Sequence, residues 1–240
     1  MRLTDFTTMT FDVFGTLIDF ETGVLNWLRP RVKPQGADDA HILERFARAE
    51  ANLIDTDPNT TFMAMLPPIY RALAADLGLP DTPTESEAFR QSMANWPPFP
   101  DSNGALAYLR QHYRLVAATN GDNWGVDHMS RALGEPFHDR VTAEDVGRCK
   151  PDPQVFAFLR GRLSAAGIKT RDILHVAQSQ YHDIGPAKQL GFATCWINRR
   201  HGKQGFGGTP APERHTEPDF FFTSMAELAA VHRAALAETS

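Results

Sequence analysis

The chain has 240 residues, enough for one large domain or two small ones. Its 24 Lys+Arg against 29 Asp+Glu give a net charge of −5, which excludes the basic surface of a general nucleic-acid binder. Hydrophobic residues at 42% and charged residues at 22% are those of a globular protein, not of a disordered chain. Two cysteines, Cys149 and Cys195, are too few for a disulfide framework or a Cys-rich zinc site and fit a reducing cytoplasm. The first ten residues are mixed and polar, and no run of 18 apolar residues occurs. A cytoplasmic protein with no targeting segment and no membrane partner is expected.

The first strand is predicted over Thr7 to Val13, a β-branched and aromatic run ended by Gly15 and Thr16. From about Glu21 to Asn95 the pattern is helical. Apolar residues recur at helical spacing over residues 40–47 and 69–77, and Gly78 is a natural stop. Pro34, Gly36, Pro58, Pro67, Pro68 and the Pro80–Pro83 stretch punctuate this region, and no strand is predicted in it. Beyond Trp96 the pattern alternates. Helices are predicted over 102–112, 124–133, 152–166, 184–190 and 225–236. Strands are predicted over 114–119, 140–142, 173–177, 193–197 and 220–222. Strands separated by helices of this length imply βαβ units and a parallel sheet. The expected fold is an α/β, doubly wound, Rossmann-like sheet at 1–18 and 98–240, with a helical insert at 19–97. An insert directly after the first strand covers the C-terminal sheet edge, where open α/β sheets bind ligands. The glycine-rich segment 198–218, with Arg199, Arg200, His201 and Lys203, reads either as a solvated loop or as one that favours anionic substrates.

Four segments place polar residues at predicted strand ends. Asp12 follows an apolar strand, where a carboxylate is costly without partners. It reads as a turn residue, or as a nucleophile oriented by Thr16 and held ionised by a cation. Thr119-Asn120-Gly121 is a turn or an anion pocket of N–H groups, hydroxyl and amide. Lys150, kept extended by Pro151, is a surface charge or the cation beside Asp12. Asp183 is a helix N-cap, or it fixes Lys150 or an attacking water.

The order and spacing of these segments carry a resemblance. FDVFGTLID, ATNG, CKPDPQVF and HDIGPAKQLGFATCWINR resemble the successive motifs of the haloacid dehalogenase superfamily, and the chain resembles its type II branch, the (S)-2-haloacid dehalogenases. The resemblance spans essentially the whole chain, with a helical cap after the first motif. It implies Asp12 as nucleophile in a displacement that expels halide, followed by hydrolysis of the aspartyl ester. Lys150 then keeps Asp12 anionic, Thr16, Thr119 and Asn120 orient the carboxylates, and Asn120 faces the halide. Asp183 completes the set. Arg45 matches a cap arginine that contacts halide or substrate. The branch also implies a possible homodimer.

Phosphatase members carry a second Asp two residues after the nucleophile and further acids for Mg²⁺. Here those places hold Phe14 and Gln178, so no metal and no cofactor is expected. Compared with better-known dehalogenases, Gln178 and Gln180 replace Ser and Asn, and Phe14 and Phe156 replace aromatic hydroxyls. His182 is a candidate for water activation, or a core histidine. Two other readings are a Mg²⁺-dependent phosphatase of the same superfamily and a catalytically weak member that binds a metabolite or a protein.

Overall fold

The computed structural model describes residues 1–32 and 37–238, so Pro34 and Gly36 lie outside the described residues. β1 (Thr8–Phe11) leads into a helical insert of α1 (Phe20–Leu28), α2 (Asp39–Thr56), α3 (Phe62–Leu77) and α4 (Pro83–Ser92). The rest alternates: α5 (Ser102–Leu109), β2 (Arg114–Thr119), α6 (Asn123–Ala132), β3 (Asp139–Thr142), α7 (Ala143–Val146), α8 (Pro153–Ala165) and β4 (Ile173–Ala177). It closes with α9 (Gly185–Gln189), β5 (Ala193–Ile197), β6 (Phe220–Phe222) and α10 (Met225–Ala237). Among the described residues the six strands form one sheet in the order β3-β2-β1-β4-β5-β6, every pair parallel. The order reverses direction at β1, which is flanked by β2 and β4. The crevice at that switch point is where such sheets bind ligands.

Local chemistry sets the boundaries. The insert helices begin on side-chain caps: Asp19, Asp38, Thr61 and Thr82 accept from the backbone N–H of Thr22, His41, Ala64 and Glu85. α3 ends on Gly78 in the left-handed region (φ 65°). Pro67 and Pro68, expected to interrupt the chain, lie inside α3. Two lost N–H donors are outweighed there by a buried face that includes Met63, Leu66, Ile69, Tyr70 and Leu73. β1 is shorter at both ends than Thr7–Val13, because the chain turns after Asp12. Leu17 and Ile18 donate their N–H groups back to Val13 O. No described helix is long and apolar enough to cross a membrane.

The insert joins the sheet domain through two segments lying side by side. Asp19 N donates to Pro97 O at 2.8 Å, and Phe99 N donates to Leu17 O at 2.9 Å. Trp96, at the return, packs over Gly23 of α1, where an added Cβ would overlap the indole. Gly23→Ala is therefore expected to cost ~1–3 kcal/mol through overpacking, despite alanine's better helix propensity. A urea midpoint equal to that of the wild type would contradict this.

Candidate active site

Asp12 stands one residue beyond β1, fixed by its N–H to Val176 O (3.1 Å). Its carboxylate is shared between two donors. Lys150 Nζ donates to Oδ1 at 2.9 Å, and Thr16 Oγ1 donates to Oδ2 at 2.6 Å. Thr16 Oγ1 in turn accepts from Gln178 N at 2.8 Å, so the turn after β1 is tied to the end of β4. Lys150 Nζ spends its other donors on Asp183 Oδ1 (2.7 Å) and Ala118 O (2.9 Å). Its side chain is only 1% exposed, which makes this a buried ion triad.

Lys150 is aimed by Asn120. Asn120 Nδ2 donates to Lys150 O at 3.0 Å, and Lys150 N donates to Asn120 Oδ1 at 2.6 Å. The amide therefore serves the lysine backbone first, while still lining the cavity. Thr119 also lines it, and its hydroxyl accepts from Gly121 N at 3.1 Å. Asp183 does not cap a helix as one sequence reading had it. Ser179 accepts the His182 N–H and caps the π-helical turn Gln180–Ile184, which frees Asp183 to face Lys150. His175 backs the triad. Its Nε2 lies 2.9 Å from Asp183 Oδ1 and its Nδ1 2.8 Å from Thr10 Oγ1. An acceptor-only carboxylate requires Nε2 to carry the proton, so in the neutral ring Nδ1 accepts from Thr10.

Above Asp12 is a cavity with about 410 Å³ of empty space, its mouth included. Phe14, Phe20 and Phe62 form aromatic walls, with Phe14 and Phe62 ring centres 5.3 Å apart. Gln178, Ser179, His182, Thr209 and Glu50 supply polar edges. Two expected site residues, Arg45 and Gln180, are placed otherwise. Arg45 lies outside the cavity lining and pairs with Asp76 at 3.2 Å. α2 turns Phe46, Ala47 and Glu50 inward instead, and a third of the Arg45 side chain stays in solvent, where its charge costs least. Gln180 is buried, but its amide brackets the backbone of Thr216 and does not reach the cavity. Phe156 also misses the cavity and packs edge-on against His175 at 5.3 Å. The basic loop is braced: Arg199 pairs with Asp101 at 2.9 Å and Arg200 with Glu21 at 2.7 Å, and from this loop Thr209 lines the cavity.

Sequence reading missed Glu50, Phe20, Phe62, Ser179, Thr209 and the backing His175. Glu50 left a signal: it continues the apolar stripe Leu43, Phe46, Ala47, where an acid is out of place.

Burial raises the Asp12 carboxyl above its usual range against the pull of the Lys150 ammonium; the Asp183 charge adds to the rise and the Thr16 hydroxyl opposes it. Burial alone would depress Lys150, but the two carboxylates outweigh it and hold the ammonium above its ordinary value. Asp183 is pushed up by burial yet held down to about 2 by Lys150 and His175. Burial, then the Asp12 charge, pushes Glu50 up to about 8. Burial takes His182 down to about 4. Its Nε2 has no hydrogen-bond partner and stands 3.9 Å from Glu50 Oε1. Around neutrality Asp183 is therefore ionised beside the Lys150 ammonium, and Glu50 and His182 are a neutral pair.

The haloacid dehalogenase-like hydrolase family model matches residues 6–191. The chain is 37% identical over 106 residues to haloacetate dehalogenase H-2 of Moraxella sp. (strain B), covering 42% of this chain and 45% of that enzyme. It is 31% identical over 129 residues to pyrimidine 5'-nucleotidase YjjG of Escherichia coli (strain K12), covering 52% and 56%. The chain thus spans about half the length of these two relatives. The solved L-2-haloacid dehalogenase of Xanthobacter autotrophicus shares the fold, with TM-score 0.76 and 19% identity over 95% of this chain and 98% of that one.

Glu50 gives the site a signature in stability. The fold keeps its proton up to about pH 8, whereas an unfolded chain releases it near the ordinary glutamate value of 4.5. The folded state binds more protons between those values, so its stability falls as pH rises from about 4.5 to about 8. Glu50→Gln removes that term. The variant is expected to gain on wild type as pH rises, by on the order of a few kcal/mol at the top of the window. Denaturant titrations at several pH values check this, and a difference independent of pH would refute it.

Proposed function

Because the chain belongs to the haloacid dehalogenase-like hydrolases, we propose that it displaces halide from small 2-halocarboxylates and yields 2-hydroxy acids. The observation that carries the reading is the Asp12 carboxylate, held between Lys150 Nζ and Thr16 Oγ1 under an aromatic-walled cavity. An Asp12 oxygen attacks the halogen-bearing carbon, an ester bond forms, and the carbon–halogen pair leaves with the halide. Lys150 keeps Asp12 ionised before attack. Asp183 anchors Lys150, and Asn120 and Thr119 shape the anion-facing edge. The phenyl walls exclude water from the displacement and strengthen the electrostatics within. Water then adds to the Asp12 ester carbonyl, releases the hydroxy acid and restores the carboxylate. With Nδ1–H donated to Ser179 Oγ, His182 presents a lone pair at Nε2 to that water. Small size of substrate follows from the crowded ring faces.

A magnesium-dependent phosphatase is the second reading, favoured by the Asp183 Oδ2 atom, which is buried without a partner. The donor set fits a hard dication poorly. Both carboxylates already share Lys150, and Phe14 and Gln178 offer no further charge.

Asp12→Asn is expected to lower halide release from 2-chloropropionate by at least ~10³-fold, as loss of a nucleophile does. Wild-type release at an undiminished rate in that variant would refute the mechanism. A wild type that releases no halide but hydrolyses p-nitrophenyl phosphate only with Mg²⁺ would favour phosphoryl transfer. Arg45→Ala, outside the cavity lining, is expected to change KM for the haloacid by no more than about 2- to 3-fold, the size of a surface change. A KM rise of about 100-fold would return Arg45 to the site.

A further inference from the structure

An in-line displacement sends its leaving group away from the nucleophile. Asp12 lies on the sheet side of the cavity, so the departing group moves toward the wall that the helical insert supplies. Among the described residues that wall is Phe20, Glu50 and Phe62. Phenyl rings cannot replace the water that a small anion needs as it forms. Glu50 is the one polar group among them. It is 6% exposed, and among the described residues its carboxyl makes no hydrogen bond; His182 Nε2 at 3.9 Å is too far for one. Among the described residues no arginine lines the cavity, and Arg45 pairs with Asp76.

Resting on the displacement read above, we propose that Glu50 is the leaving-group residue, its carboxylic O–H hydrogen-bonding the halide as it departs, and that this suits the site to fluoride. Fluoride is the smallest and most charge-dense halide, and the one whose departure gains most from a hydrogen-bond donor. Bromide is diffuse and leaves with little help. The balance is simple. The Asp12 oxygen–carbon bond forms, the carbon–fluorine bond breaks with both electrons going to fluoride, and Glu50 keeps its proton while solvating the ion. Hydrolysis of the ester then proceeds as before.

The donor exists only while Glu50 is protonated. The groups that face it are Asp12 beyond β1, Lys150 before α8 and His182 in the π-helical turn, which line the same cavity, together with Cys149 and Tyr181, whose side chains feel its charge. Lys150, the cation among them, is already divided between two carboxylates. Burial and the Asp12 charge keep Glu50 protonated to about pH 8. Above that the ionised side chain repels the departing anion.

The test is release of fluoride from fluoroacetate and bromide from bromoacetate by wild type, Glu50→Gln and Glu50→Leu, across pH values on both sides of about 8. Glu50→Leu is expected to lose fluoride release by about 100-fold or more and bromide release by less than about 10-fold, the scale of removing one donor from developing charge. Glu50→Gln, isosteric and still a donor, is expected to keep an intermediate fluoride rate and to lose the fall above pH 8. Equal losses for both halides, an unchanged alkaline fall in Glu50→Gln, or bromide release without any fluoride release by wild type would overturn the proposal. No halide release of either kind by wild type would instead refute the dehalogenase reading, and this inference with it.

Discussion

One ammonium group organises the site. Lys150 Nζ faces two buried carboxylates and a carbonyl with all three of its donors. Each charge would be prohibitive alone at that depth, and removal of the cation would leave two like charges uncompensated. The three partners come from different strand ends: Asp12 follows β1, Ala118 lies in β2, and Asp183 follows β4. The triad therefore closes only when β1 is bracketed by β2 and β4, which is the reversal point of the sheet. His175 and Thr10 extend the network beneath Asp183 through adjacent strands. Site and topology are parts of one constraint.

Much of this arrangement was legible in the residues, for identifiable reasons. β2, β4 and β5 occupy the ranges their apolar runs predict, because buried parallel strands announce themselves by continuous β-branched and small apolar residues. Three of the polar segments, those of Asp12, Thr119–Asn120 and Gln178–Asp183, stand at strand ends on one edge, where a parallel sheet puts them. Lys150, expected at a strand end, instead lies in the loop between α7 and α8 and reaches that edge from there. Side-chain direction was less legible. Arg45 and Glu50 lie on the same helix, and only the angle about its axis separates a surface ion pair from a cavity wall. The apolar stripe contained that angle, and it pointed to Glu50. Gln180 and His182, two residues apart, were equal in composition and differ because the turn between them is π-helical: Gln180 is directed to Thr216 and His182 to the cavity. Tertiary packing likewise carried α3 through Pro67 and Pro68.

The basic loop illustrates why charge counting alone misleads. Arg199 reaches Thr16 O and Asp101, and Arg200 reaches Glu21, whose other oxygen accepts from Gly208 N. Both guanidinium groups are struts between the sheet domain, the insert and the loop. What the loop gives the cavity is a neutral hydroxyl, Thr209. The charges of Arg199 and Arg200 are thus paired off, and among the described residues lining the cavity the cation is the lysine between the two carboxylates.

The paired segments at Leu17–Asp19 and Pro97–Phe99 bear on how such a protein can change over time. The insert leaves and re-enters its host at neighbouring points, tied by two backbone hydrogen bonds. A segment with adjoining ends can be lengthened, exchanged or grafted without rethreading the strands that hold Asp12, Lys150 and Asp183. Selectivity and reactivity are thereby inherited separately: a lineage can acquire a new roof while its chemical floor stays as it was.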